Sequence, residues 1–189
     1  MPQQSADFTR ARLTVPKPVL RAAIESTKQE IKKAKKVEAL GAALARKPTP
    51  TASFEFSEAV CDWAAGRRVW ARLNRYYDHD QNALGKELCA WFQGIKGTHD
   101  VEEAIKPGIA IDGLGVSFAS KHLRMLDPHR FAVLDSVLSE KLGFALNVAG
   151  YKLFMQALHD YQGRHFPEHN VGTLEMVIYH LVRPKKGAR

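Results

Sequence analysis

The chain has 189 residues, 45% of them hydrophobic, with 28 Lys and Arg against 20 Asp and Glu. That supplies apolar material for one substantial core, built as one domain or two small lobes. No apolar run reaches the roughly 20 residues a bilayer span requires, and the opening "MPQQSADFTR" lacks the apolar centre of a secretory signal, so a membrane partner is not expected and a cytoplasmic location is.

Residues 1–18, which include "VPKP", read as an extended arm. From Val19 onward Leu20, Ile24, Ile31, Ala34 and Leu44 recur with helical spacing, while Lys28, Lys32, Lys33, Lys35 and Lys36 crowd the other surface, predicting one basic amphipathic helix. "RKPTPTAS" then stops that helix and supplies a linker, so the expected organisation is a basic arm and helix over 1–50 and a helical domain over 51–189. A second helix is predicted over 57–77, where Trp63, Arg67, Trp70, Asn74 and Tyr77 step along one face; such aromatic stripes are more often core than stacking platform. Another runs from Asn82 to about Phe92, and Asp100 with Glu103 forms a capping box for a short helix after it. "RFAVLD" breaks the helical pattern before a further helix near Ser136. Residues 151–161 place Tyr151, Phe154, Leu158 and Tyr161 on one face, and residues 174–182 form the last helix. With no run of strands and no internal repeat, the fold class is all-α, a helical bundle.

Charge is uneven along the chain. Residues 1–50 hold 11 basic and 4 acidic side chains, residues 51–182 hold 13 and 16, and the tail "RPKKGAR" holds four basic and none acidic. Basic ends suit a polyanion, because each neutralised phosphate releases counterions, and equally suit solvated tails. Cys61 and Cys89 are too few for a four-thiolate cluster or an all-cysteine zinc site and read as buried thiols. His165 and His169 have an i, i+4 spacing, with His159 nearby, but Pro167 argues against a continuous helix carrying both, so no metal is expected.

The stretch "DGLGVSFASKHLRML", residues 112–126, sets two glycines one residue apart at the mouth of an apolar helix. Gly113 and Gly115 permit a tight hairpin between two helices over about 105–127, with bare backbone N–H groups of Gly113, Leu114 and Gly115 at the start of the second, beside Ser117. Such a helix–hairpin–helix grips a phosphate without reading sequence. An ordinary helix stop and restart fits the two glycines as well.

Gly113, Gly115, Ala119 and Asp135 together resemble the helix–hairpin–helix DNA glycosylase superfamily, in which a Gly-x-Gly hairpin, a small residue and an aspartate keep this spacing. Phe118, Lys121, Leu134 and Asp135 fit the motif of small bacterial proteins with an 8-oxoguanine-glycosylase-like fold. The resemblance implies an enzyme of base-excision repair, or of defence against modified phage DNA. Such an enzyme extrudes a damaged or modified base, with oxidised guanine favoured, and cleaves its N-glycosidic bond without a cofactor. Asp135 then activates water or stabilises the cationic sugar, for which a fixed carboxylate in a water-poor pocket is suited; it also suits a helix cap. Ser117 stands where lyase-competent members carry lysine. Lys121, one turn on, can lean back toward Ser117 as a displaced nucleophile, although the reading leans toward water as nucleophile with Lys121 holding a phosphate. Trp91, Tyr151 and Phe154, with Phe92, Tyr76 and Tyr77 also available, are the expected base-pocket rings. The expected partner is duplex DNA with an altered base, bound by a monomer associated with the nucleoid. The alternative is a helix–hairpin–helix module that binds DNA without catalysis.

Overall fold

A computed structural model describes residues 17–183. Ten helices fill them, with no strand: α1 Lys17–Ser26, α2 Lys28–Arg46, α3 Pro50–Trp63, α4 Arg67–Tyr76, α5 Gln81–Ile95, α6 Val101–Ala110, α7 Val116–Leu126, α8 Ser136–Leu142, α9 Val148–His165 and α10 Val171–Val182. Residues 1–16 of the expected arm and most of the tail lie outside the described residues, while Lys17 and Pro18, expected in the arm, begin α1. No helix here is long and apolar enough to cross a membrane.

Side-chain caps set most of the starts. Thr49 accepts from Ala52 N ahead of Pro50 at the first position of α3, and Asp80, Asp100, Asp135, Asn147 and Asn170 cap α5, α6, α8, α9 and α10 in the same way. "RKPTPTAS" is therefore chiefly a helix start, not a linker. At α6 the capping box is half made: Asp100 accepts from Glu102 N at 2.6 Å, while Glu103 takes its hydrogen bond from Thr98 Oγ1.

At the centre lies α7, buried from Ala119 through Leu126, with α2, α3 and α6 packed around it. Arg124 of α7 is buried and pairs with Glu38 of α2 at 2.8 Å, while α1 packs on α10. Helices α1 and α2 thus share the core of the remaining chain.

Two predicted long helices are divided. The helix from Val19 is interrupted at Thr27 (φ −98°, ψ 6°), whose buried hydroxyl donates to Ala23 O at 2.7 Å. The helix over 57–77 breaks at Ala64–Gly66, with Ala65 left-handed at φ 52°. Long-range packing requires this corner, since a Cβ on Gly66 would lie 2.4 Å from the Phe118 ring of α7.

Between α7 and α8, residues 131–134 run as a buried, non-helical segment. Its backbone is satisfied by side chains: Leu134 N donates to Ser120 Oγ (3.1 Å), Val133 N to Glu175 Oε2 (3.4 Å), and Ala132 O accepts from the Tyr151 hydroxyl (3.0 Å). The segment is a rigid lead-in that delivers Asp135.

Candidate active site

The turn between α6 and α7 holds both glycines of interest, and they do different things. Gly113 has φ 96°, a conformation that disfavours any side chain, and a Cβ there would press within 3.1 Å of Leu73 Cα on α4. Gly115 is extended (φ −119°, ψ 178°), and a Cβ on it would meet open space. Its lack of a side chain leaves the start of α7 uncapped and bare, with the N–H groups of Val116 and Ser117 taking no hydrogen bond among the described residues. Leu114 turns its side chain into the core and its N–H donates to Ile111 O at 3.0 Å, so that N–H is not bare as expected.

One turn into α7, Lys121 reaches back along the helix. Its amine donates to Ser117 Oγ at 2.9 Å and Ser117 O at 3.3 Å and lies 4.8 Å over the Phe118 ring. Only 8% of Lys121 is exposed. It opens onto a cavity of about 460 Å³ that also contains Asp135 and Glu175, a size within the roughly 300–1,000 Å³ of small-molecule sites. Three elements thus converge: α7 supplies Lys121, the cap of α8 supplies Asp135, and α10 supplies Glu175.

Asp135 is half-buried. One carboxylate oxygen accepts from Leu138 N at 3.0 Å, so it caps α8 and lines the cavity at once. Glu175 is 4% exposed, and burial pushes its carboxyl up to about 7; the Asp135 charge adds to the rise, while Arg124, the Val133 N–H and Lys121 oppose it. Burial lowers the Lys121 amine below its ordinary value, against the pull of Asp135, Glu175 and Cys61. The site therefore sets a carboxyl able to carry a proton at neutral pH beside a second carboxylate and a destabilised ammonium. Sequence reasoning missed Glu175. The clue was a lone carboxylate inside the apolar run "VGTLEMVIYHLV".

Among the expected base-pocket rings, Trp91, Tyr151 and Phe154 do not line this cavity. All three are core residues: the Trp91 indole donates to Ala104 O at 2.8 Å, the Tyr151 hydroxyl donates to Ala132 O, and Phe154 packs edge-on against Phe144. The hydrogen-bonding groups of Trp91 and Tyr151 are thus committed to main chain. The rings that do line the cavity are Trp63, Tyr179 and the His180 imidazole. Next to Lys121, His122 is buried and faces the other way; since Phe118 O can only accept, Nδ1 carries the hydrogen toward it (2.7 Å) and Nε2 accepts from Ser57. Burial holds His122 at about 4, a neutral core imidazole among Phe56, Trp91 and Phe92.

Cys61 and Cys89 are buried free thiols, and burial pushes Cys61 up to about 12. Helix α9 ends at His165, ahead of Pro167, so His165 and His169 do not share a helix. Among the described residues no group of three or more His, Cys, Asp or Glu side chains is placed to hold a metal. Comparison of the chain with known families, curated proteins and solved structures finds no match.

Proposed function

We propose that this protein is a DNA glycosylase that draws an altered base into the cavity and cleaves its N-glycosidic bond. The observation that carries this reading is the meeting of Lys121, Asp135 and Glu175 in one cavity, with Lys121 one helical turn beyond Ser117 at the bare start of α7. The α6–α7 turn acts as the hairpin of a helix–hairpin–helix, holding a phosphate on the free N–H groups of Val116 and Ser117.

In this mechanism Trp63 and Tyr179 enclose the extruded base. The bond from C1′ to the base nitrogen breaks with its electron pair leaving on the base, and protonated Glu175 delivers a proton to that leaving group. Positive charge developing on the sugar faces the Asp135 carboxylate. The Lys121 amine then adds at C1′ through its lone pair, its surplus proton passes to the Glu175 carboxylate left by the first step, and water later hydrolyses the new C–N bond to free the lysine. Burial supports the amine over water as nucleophile, because it favours the neutral amine, and it sets Lys121 in the cavity, away from any phosphate outside it.

Incubation of the protein with duplex oligonucleotides, each carrying one oxidised, alkylated, deaminated or phage-type modified base, tests the reading. Release of a free base from one of them is expected. Binding to duplex without release from any substrate would leave the non-catalytic helix–hairpin–helix module in its place.

A further inference from the structure

Between residues 51 and 182 acidic side chains outnumber basic ones, yet one helix there presents only basic charges to solvent. Helix α4, "RRVWARLNRY", carries Arg67, Arg68, Arg72 and Arg75, all exposed, and no acid. Residues 68, 72 and 75 stand four and three apart, so they share one face. None of the four arginines enters an ion pair within 4.0 Å among the described residues. Four guanidinium groups on a ten-residue helix repel one another, and among the described residues no carboxylate lies within 4.0 Å of them to offset this.

The position of α4 gives this face a use. Midway along, it touches the glycine turn, where Arg72 Nη2 donates to Gly113 O at 2.9 Å, the one side-chain hydrogen bond of Arg72 among the described residues. At its start Arg67 and Arg68 line an open groove of about 810 Å³ with Gly66, Val69 and Phe118. That groove shares Ala64 and Ala65 with the cavity of Lys121, Asp135 and Glu175. The basic face therefore connects the turn to the mouth of the cavity. At 1.5 Å per residue, Arg68 to Arg75 spans about 10 Å, the length of about three phosphates at 3.4 Å of axis per nucleotide. The acids nearby, Asp62 in the groove, Asp112 in the turn, and Asp78 and Asp80 just past the end of α4, are all exposed.

We infer that α4 is the phosphate track for the DNA strand whose base enters the cavity, with Arg68, Arg72 and Arg75 on successive phosphates. The inference rests on the glycosylase reading and adds a binding surface to it. It also moves the main electrostatic contact away from the basic ends of the chain.

The test is binding of an unmodified fluorescent duplex by anisotropy between 50 and 300 mM salt, for the wild type, R68Q/R72Q/R75Q, and K32Q/K35Q/K36Q on α2. Because Arg72 bonds the turn, R68Q/R75Q serves as a second variant that leaves that bond intact, and circular dichroism verifies folding. Loss of the three arginines is expected to flatten the slope of log affinity against log salt by up to about 2.7, at about 0.9 per phosphate contact, and loss of two by up to about 1.8. The α2 variant is expected to change it less. A wild-type slope retained by both arginine variants would overturn the track while leaving the glycosylase reading intact. Failure of the wild type to bind duplex at any salt would overturn both.

Discussion

Replacing Glu175 by Gln removes the charge from the cavity while keeping the shape of the protonated acid. In the folded protein burial raises this carboxyl from 4.5 to about 7, so folding favours its protonated form. The stabilisation from that proton is complete below about pH 4.5 and is lost as pH rises through 7. For a shift of this size the group supplies about 2–3 kcal/mol at pH 5 and almost nothing at pH 8. The E175Q variant lacks the titration, whereas Arg124, Asp135 and Lys121 around it and buried His122 are common to both proteins and cancel in the difference. At roughly 2–4 °C per kcal/mol for a chain of this size, the wild-type Tm minus the E175Q Tm is expected to fall by about 5–10 °C between pH 5 and pH 8. Thermal unfolding at each whole pH value in that range measures it. A difference that stays constant with pH would show that Glu175 titrates as an ordinary carboxyl, and the proton donor would have to be found elsewhere.

Lys121 is expected to form a covalent adduct with substrate DNA under borohydride reduction, lost in K121A; base release without an adduct would assign the nucleophile to water. The two glycines of the turn should separate: Gly113→Ala lowers stability by about 1–2 kcal/mol because of its positive φ, whereas Gly115→Val folds normally and weakens duplex binding. Unchanged binding in the Gly115 variant would remove the turn from the DNA contact. His122 is expected to remain neutral, with its hydrogen on Nδ1, down to about pH 4 in an NMR titration; protonation near 6.5 would show that it is not sealed in the core.

Much of the local structure was legible because local chemistry determines it. Asp100 and Asp135 were recognisable as helix starts, the all-α class followed from periodicity, and the lean of Lys121 toward Ser117 followed from the direction of helical side chains. What escaped depends on contacts distant in sequence. The corner at Ala64–Gly66 exists because the Phe118 ring occupies the space beside Gly66, and nothing in residues 57–77 announces that. Aromatic spacing alone did not separate Trp63, on the cavity, from Trp91, Tyr151 and Phe154 in the core. Glu175 gains its raised carboxyl only from the elements packed around it. The arginines of α4 were hidden by averaging, since the surrounding segment is net acidic.

The central claim is that the Asp135 charge promotes base release, and Asp135→Asn isolates it. Asparagine keeps a side-chain oxygen to accept from Leu138 N, so the cap of α8 persists, while the charge facing the sugar is gone. Single-turnover base release and duplex affinity, measured together on the best substrate of the panel, should show release slowed by 100-fold or more, about 3 kcal/mol of lost charge stabilisation, with affinity changed less than threefold. Release at the wild-type rate by the Asn variant would contradict the account.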